Sequence, residues 1–378
     1  MKRGIIIGAG IGGLTTALAL LKKGIDFEIY EQANDLAEVG AGIWIAPNGL
    51  KVLKKLGIEW GIIRGGRFID KIFVIDTNNK IIAKIDSDRL SRKHGFKTLA
   101  IHRAALQHAL ASAIPEGKIN FNRKFASFDQ TNDYVQANFA DGTTRKADFL
   151  IVADGIGSVA KNQIDPDTKL RYSGQTCWRF ITEFELPGLD NMYEVWANER
   201  GLRVGYMRIN RKQVFVFITN FQKAGEKDDR TMLKARLLEL CQDFQPLILD
   251  LIGSVNENNI IRTDLFDHEP AKKWVDNRVA LLGDAAHAST PNLGQGASQA
   301  IEDAYRIAEE LAKDVSLQES LENYAKMRIQ KAHYITKLSW LMASISNKTG
   351  VKKNLYKGFM RATPGFILNR RLDKIYSI

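Results

Sequence analysis

The chain has 378 residues, of which 45% are hydrophobic and 26% are charged, and its formal net charge is +11 at pH 7. This length allows two domains or one large discontinuous domain, and the composition excludes a disordered or fibrous protein. Two cysteines are too few for a disulfide framework, so we expect a reducing, cytoplasmic location. The six histidines are scattered and none is near a cysteine, so we expect no metal site.

The positive charge is concentrated at the C-terminus. Nine Lys and Arg residues but one acid, Asp373, lie between Lys337 and the last residue. This distribution is typical of a solvated basic face, so we expect no nucleic acid as a partner. Contact of this segment with an anionic membrane surface is a less favoured alternative.

The segment GIIIGAGIGGL near the N-terminus predicts a strand, a glycine turn and a helix. Gly8, Gly10 and Gly13 have the spacing G-x-G-x-x-G, which suits a tight turn, close approach to a pyrophosphate and close packing of helix on strand. Glu31 follows the next predicted strand, where a carboxylate can accept hydrogen bonds from a ribose diol. The segment therefore predicts a dinucleotide site, and it leaves NAD and FAD open.

Further elements follow from alternation and helical spacing. The segment Val39 to Ile58 predicts an extended run, a turn and a short helix. Two segments, 69–85 and 134–152, predict hairpins, and residues 172–220 predict a run of strands. Helical spacing predicts helices at 101–117, 232–244 and 317–346. Residues 277–287 read as a buried strand that enters a second glycine loop.

Three segments share one order and spacing with a known family: the first glycine loop with Glu31, LIVADGIGS (150–158), and ALLGDAAHASTPNLGQG (280–296). Together they resemble the FAD-dependent aromatic hydroxylases, the single-component flavoprotein monooxygenases. GAGIWIAPNG, RYSGQTCWRF and EDA are similar to the subgroup of salicylate hydroxylase-like enzymes, FAD-dependent urate hydroxylase and zeaxanthin epoxidase. The resemblance covers most of the chain up to about residue 335.

The resemblance implies an α/β (α+β) fold in which a Rossmann-like FAD-binding domain is interrupted by a β-sheet substrate domain and followed by a C-terminal helical segment. We assign residues 1–70, 98–165 and 277–335 to the FAD-binding domain and residues 71–97 and 166–276 to the substrate domain. Residues 336–378 form the basic helical segment in this prediction. A monomer or a homodimer is expected.

The resemblance also implies roles in cofactor binding. Arg103 and Gln107 match positions that contact the FAD phosphates and ribityl chain, and Asp154 and Gly155 match an Asp-Gly motif used for FAD and nicotinamide. For Arg103, a surface helix charge is the alternative. Lys161 stands where the family has an arginine, so the bidentate fork is lost at that point.

In the second glycine loop, Asp284 matches an aspartate that bonds the ribityl chain, and Pro291 matches a residue near the reactive edge of the flavin. We favour a packing role for His287 over a role as catalytic base. The helix that follows would direct its free N–H groups and positive dipole end at the flavin ring. It opens with Gly294, Gln295 and Gly296.

On the substrate side, Arg203 matches a substrate-contacting arginine, and we assign Arg203 and Pro291 as the catalytic candidates. Phe215 stands where urate hydroxylase-like sequences have a tyrosine, which argues against urate as the substrate. Aromatic side chains of the inserted strands are the candidates for the substrate pocket, with strand core as the alternative for each. They are Trp178, Tyr206, Phe215 and Phe217.

The resemblance implies a two-stage reaction with FAD as the cofactor. NADH or NADPH, a transient co-substrate, delivers hydride to the flavin, and the reduced flavin reacts with O2 to give a C4a-hydroperoxide. One oxygen is then transferred to a small aromatic, heteroaromatic or similarly electron-rich molecule by hydroxylation or epoxidation. Two alternatives stay open: a FAD-dependent oxidoreductase or reductase of the same fold without oxygen insertion, and a flavin-bound docking protein.

Overall fold

The computed structural model describes residues 2–36 and 41–378 of the protein. Its strands, in chain order, are β1 (Arg3–Ile7), β2 (Asp26–Tyr30), β3 (Gly42–Ile45), β4 (Gly66–Phe68), β5 (Lys71–Asp76), β6 (Ile81–Asp86), β7 (Leu99–His102), β8 (Ile119–Asn120), β9 (Phe125–Gln130), β10 (Val135–Phe139), β11 (Thr144–Ala147), β12 (Phe149–Val152), β13 (Leu170–Glu183), β14 (Met192–Trp196), β15 (Arg203–Arg208), β16 (Gln213–Phe221), β17 (Ile261–His268), β18 (Val275–Asp276) and β19 (Val279–Leu281).

The helices are α1 (Ile11–Lys22), α2 (Pro47–Leu56), α3 (Glu59–Arg64), α4 (Ser87–His94), α5 (Arg103–Ala111), α6 (Val159–Ile164), α7 (Leu233–Leu240), α8 (Pro246–Ser254), α9 (Asp284–His287), α10 (Gly296–Leu311), α11 (Leu317–Ser346), α12 (Gly350–Ala362) and α13 (Gly365–Tyr376). Short 3-10 turns cover Glu257–Asn259 and Pro291–Leu293.

A six-stranded sheet, ordered β18-β19-β12-β1-β2-β8, organises the first region. β1 pairs in parallel with β12 and β2, and β12 pairs in parallel with β19. β12 and β19 are apolar and buried throughout because both faces of the sheet are covered. The carboxyl ends of parallel strands meet at one edge, so the loops after β1, β12 and β19 meet there as well.

A seven-stranded sheet, ordered β17-β13-β16-β15-β14-β5-β6, forms the second region. Because successive side chains in a strand point to opposite faces, each strand contributes to two environments. One face packs against α7 and α8 around a core that includes Phe180, Val204 and Leu237. The other face turns toward the carboxyl edge of the six-stranded sheet, which places a cavity between the two sheets.

The predicted fold class is confirmed, as are both predicted hairpins and the helix at 317–346. Val39 and Gly40, the start of one predicted extended run, lie outside the described residues, whereas the rest of that run forms β3. No sequence pattern indicated α4, α8 or the small sheet β3-β7-β4. Among the described residues, no helix is long and apolar enough to cross a membrane.

Candidate active site

A cavity of about 410 Å³ lies between the two sheets, and both glycine loops contribute to its wall. The predicted site residues that line it come from both regions and from distant parts of the chain. They are Gly10, Arg103, Gly155, Arg203, Phe215, Phe217, Asp284, Pro291, Gly294 and Gly296. The two loops therefore build one site instead of two.

The first loop has the backbone conformation that its glycines allow. Gly8 has a φ of +97°, and its N–H donates to the carbonyl of Tyr30 at 2.8 Å. A Cβ on Gly13 would collide with the carbonyl oxygen of Gly8, so helix and turn can pack only without it. Gly8 and Gly13 thus shape the loop from behind and do not line the cavity.

Glu31 lies against this loop and is also off the cavity wall. Its carboxylate accepts the backbone N–H of Ala9 at 2.7 Å and that of Ala33 at 2.9 Å. A carboxylate can accept about four hydrogen bonds. Two acceptor sites are therefore left for ligand hydroxyls, and the ribose role of Glu31 stays a prediction.

Two buried polar groups near the loop have free hydrogen-bonding capacity. Gln107 Nε2 donates to the carbonyl of Ala9 at 2.7 Å, but Gln107 Oε1 has no partner among the described residues. Asp154 Oδ1 likewise has no hydrogen-bond partner in the part of the chain that the structure describes. Burial raises the pKa of Asp154 to about 6. Unpaired buried polar atoms are costly, so their presence beside a cavity fits a polar ligand such as FAD.

Asp284, the first residue of α9, presents its side chain to the cavity. The enclosing protein raises the pKa of this carboxyl by desolvation, and His287 and Arg103 act in the opposite direction. His287 is itself buried, with its Nε2 2.6 Å from Asp303 Oδ2 and its ring against Trp274. These contacts fit the packing role favoured for His287.

The second glycine loop is fixed by a tryptophan that the sequence analysis missed. Gly294 has a φ of +57°, and a Cβ there would overlap the indole of Trp44 on β3. Trp44 Nε1 donates to the carbonyl of Gly294, and both residues line the cavity. Gln295 is buried and its Oε1 accepts from Gln299 at 3.2 Å, so its side chain packs beneath the loop and away from the cavity.

Strand alternation decides which predicted pocket residues face the cavity. Phe215 and Phe217 of β16 both line it, two residues apart. Trp178 and Tyr206 do not, and the prediction that they form the pocket wall is wrong. Trp178 is fully buried on the opposite face, where its Nε1 donates to Asp228 at 2.6 Å. Tyr206 stacks on Tyr193 on that same face.

Arg203 faces the cavity, but its guanidinium is already bound by protein groups. Its Nη1 donates to Glu194 at 2.9 Å, its Nη2 to Asn292 Oδ1 at 2.6 Å and its Nε to Thr219 at 3.2 Å. The side chain is nearly buried, and Glu194 neutralises its charge. Asn292 lies in the turn after Pro291, so this contact joins the seven-stranded sheet to the second glycine loop. Glu194, Thr219 and Asn292 were missed by the sequence analysis.

Lys161, the lysine at the family's arginine position, does not line the cavity. It is buried, and its Nζ lies 3.1 Å from the carbonyl of Thr168 and 3.2 Å from His268 Nδ1. Burial lowers the pKa of this amine. The Lys161 amine therefore bonds to other protein groups and does not reach a ligand in this cavity.

Comparison with known proteins agrees with the geometry of the site. The family model described as the FAD binding domain matches residues 3–339. The chain belongs to this family. It is 33% identical to the aurachin C monooxygenase/isomerase of Stigmatella aurantiaca over 88% of this chain and 87% of that protein. It is 30% identical to the FAD-dependent urate hydroxylase of Klebsiella pneumoniae over 87% and 86% of the two chains.

A solved structure gives the same answer for the fold. HpxO from Klebsiella pneumoniae, crystallised with FAD and uric acid, has a TM-score of 0.92 and 27% identity, covering 99% of this chain and 96% of that one. The predicted resemblance is therefore confirmed, and the protein is a FAD-dependent flavoprotein monooxygenase. The alternative without oxygen insertion has no support from these relatives.

Proposed function

We propose that this monooxygenase uses NADH or NADPH and O2 to hydroxylate or epoxidise a small, uncharged aromatic or heteroaromatic molecule. The observation that supports the uncharged class is the pairing of Arg203 with Glu194 at 2.9 Å in the cavity wall. A neutralised arginine offers polar contacts but no free positive charge. The remaining wall on this side is largely apolar: Met192, Met207, Phe215, Phe217 and Leu265.

Residues on and behind the cofactor side of the cavity suit successive parts of FAD. Gly10, where a Cβ would meet open space, and the N-terminus of α1 suit the pyrophosphate, and Glu31 suits the ribose. Arg103 and Asp284 also line the cavity, which supports the phosphate and ribityl contacts that we propose for them. The bound FAD would supply hydride acceptance from the nicotinamide and activation of O2.

Three features of the chain would serve the reaction itself. The N-terminus of the 16-residue helix α10 directs free N–H groups and positive dipole at the cavity, which favours negative charge on a bound ring. Pro291 and the apolar wall would exclude water and hold the substrate ring over the reacting edge. Arg203 would orient the substrate, because its own hydrogen bonds to Thr219 and Asn292 fix its position.

A substrate screen tests this proposal. Purified, FAD-loaded protein is mixed with uncharged bicyclic heteroaromatics or with benzoate-type anions, and O2-dependent oxidation of NADH and NADPH is followed while mass spectrometry detects the hydroxylated product. We expect turnover with members of the uncharged class. Exclusive turnover of anions would contradict the assignment of the substrate class.

The variant Glu194→Gln sharpens this screen because it removes the neutralising charge and keeps the shape. We expect the KM for anionic aromatics to fall by about tenfold while the KM for uncharged substrates rises. Glu183→Gln, on the exposed end of β13, is the matched control and should change neither. An unchanged preference in Glu194→Gln would remove Glu194 from the account of specificity.

A further inference from the structure

The helix α12 has an unusual distribution of side chains between protein and solvent. Three of its four basic residues, Lys353, Lys357 and Arg361, point inward, while Val351, Leu355 and Phe359 point outward, with 75%, 68% and 64% of their surface exposed. A surface helix ordinarily has the reverse arrangement. The inward side also has the apolar Tyr356 and Met360, and Lys352 is exposed beside the outward stripe. Exposed, contiguous apolar patches mark sites of contact with another protein or a membrane.

The inward cations hold α12 in this orientation. Lys353 Nζ donates to the carbonyl of Glu199 at 2.6 Å, and Lys357 Nζ donates to Asn198 Oδ1 at 3.0 Å. Arg361 pairs with Asp76 at 2.7 Å. Since these contacts tie three successive turns to the seven-stranded sheet region, the outward apolar stripe is preformed.

The neighbouring helix α13 extends the same surface. Phe366, 72% exposed, and Ile367 stand at its start, while Asp373 on its other side accepts from Arg89 at 2.7 Å and Lys93 at 2.6 Å and so anchors the helix. A groove of about 450 Å³ opens between α12, α13 and β6. Exposed Phe359 and Ile367 lie on its wall, which gives the surface an apolar recess with space for part of a lipid chain.

Four exposed cations around this surface have no acidic partner among the described residues. Lys348, Lys352, Arg370 and Arg371 are exposed and form no ion pair with a described residue. The one acid of α12 and α13, Asp373, is occupied by Arg89, Lys93 and His94. The charge therefore complements an anionic surface, and a second copy of this equally basic face would be repelled.

We propose that the face made by α12 and α13, with its apolar stripe Val351, Leu355, Phe359, Phe366 and Ile367 and its unpaired cations, docks the enzyme on an anionic lipid bilayer. The apolar side chains enter the headgroup boundary, and the flanking Lys and Arg residues contact anionic headgroups. This proposal differs from the sequence prediction, which favoured a solvated basic face over contact with a membrane. The inward direction of three of its cations and the outward direction of its apolar residues are the reason.

Vesicle co-sedimentation of the full-length, FAD-loaded protein tests this proposal. We expect binding to mixed phosphatidylcholine and phosphatidylglycerol vesicles to exceed binding to pure phosphatidylcholine vesicles by about tenfold, and to weaken as salt is raised. The variant Leu355→Ser/Phe359→Ser/Phe366→Ser should lose about tenfold of the binding. Lys348→Glu/Lys352→Glu/Arg370→Glu should lose the preference for anionic vesicles. Flavin content and turnover, measured without vesicles, confirm that each variant is folded.

The matched control is Trp60→Ser/Leu189→Ser/Met232→Ser, which removes equally exposed apolar side chains elsewhere on the surface. It should bind vesicles like the wild type. No binding of the wild type to anionic vesicles at low salt would overturn the proposal, as would equal loss in the control. A dimer in light scattering that only the Leu355→Ser/Phe359→Ser/Phe366→Ser variant dissolves would assign this face to a second copy and would also overturn it.

Discussion

Arg203 Nη1 and Glu194 Oε1 lie 2.9 Å apart on adjacent strands, and both residues line the cavity with little access to water. Leaving either charge buried alone is costly. We therefore expect Arg203→Met to destabilise the protein by about 3–5 kcal/mol. The double variant Arg203→Met/Glu194→Met should recover most of that loss. Urea unfolding of the wild type, Arg203→Met, Glu194→Met and the double variant measures the coupling.

The size of this coupling separates two roles for Arg203. If Arg203 is held mainly by Glu194, the single variant is less stable than the double variant. If its main role is to pair with an anionic ligand, the protein without ligand should tolerate Arg203→Met with little change, and the two substitutions should be additive.

Asp284 gives a direct test of cofactor binding. Asp284→Ala removes a carboxyl that faces the cavity, and a hydrogen bond to a charged group contributes about 1.5–3 kcal/mol. We expect FAD to dissociate at least about tenfold more readily, as measured by the ratio of flavin to protein absorbance after gel filtration. Asp314→Ala, at an exposed carboxylate, is the control. Unchanged flavin content in Asp284→Ala would remove the proposed ribityl contact.

Gly294 tests the contact between the second glycine loop and Trp44. In Gly294→Ala the new side chain is on a backbone with positive φ and its Cβ collides with the indole ring of Trp44. In Gly24→Ala the backbone also has a positive φ, +69°, but the Cβ points into open space. Left-handed backbone costs a non-glycine residue about 1–2 kcal/mol. We expect Gly24→Ala to cost about that amount and Gly294→Ala to cost more. The excess should shrink in a Trp44→Ala background, as measured by urea unfolding. An excess that persists without the indole would exclude the steric explanation.

Asp154 predicts a pH dependence for the protein without FAD. Burial raises its pKa from 3.8 to about 6, so between these values the folded protein binds more protons than the unfolded chain. Its contribution to stability is therefore fully present below about pH 4 and is lost as the pH rises from about 4 through 6. The free energy of unfolding of Asp154→Asn should exceed that of the wild type at pH 7.5 by an amount on the order of 3 kcal/mol, and the two should converge as the pH falls toward 4.

Urea unfolding at several pH values checks this expectation, with Asp133→Asn at an exposed turn as the control. The control should show the pH profile of the wild type. A constant difference between Asp154→Asn and the wild type across the range would mean that Asp154 does not titrate as expected.

The sequence predicted those parts of the site that depend on local backbone. Gly8 and Gly294 adopt positive φ in their own turns, and Gly13 packs on the carbonyl of Gly8, so local spacing records these constraints. Asp284 comes three residues after the end of a buried strand, and the carboxyl edge of a parallel sheet is where such a residue is exposed. For these four residues, the positions predicted from local sequence are the positions found in the structure.

The parts that depend on tertiary pairing were missed or misplaced. Trp44 and Glu194 reach the cavity only because β3 pairs with β7 and β14 pairs with β15, and no local pattern specifies those pairings. Tyr206 was assigned to the pocket with Arg203, although the two lie three residues apart on one strand and must face opposite sides. The same parity excludes Trp178, whose neighbours Cys177 and Arg179 line the cavity. Aromatic content alone did not indicate the face.

The measurement that bears most directly on the proposed function is the fate of oxygen. With a substrate found in the screen, FAD-loaded protein is supplied with NADH or NADPH and ¹⁸O2, and the product is analysed by mass spectrometry. We predict that each product molecule carries one ¹⁸O atom and that NAD(P)H oxidation keeps pace with product formation. Substrate-stimulated oxidation of NAD(P)H that yields no ¹⁸O-labelled product would contradict the account.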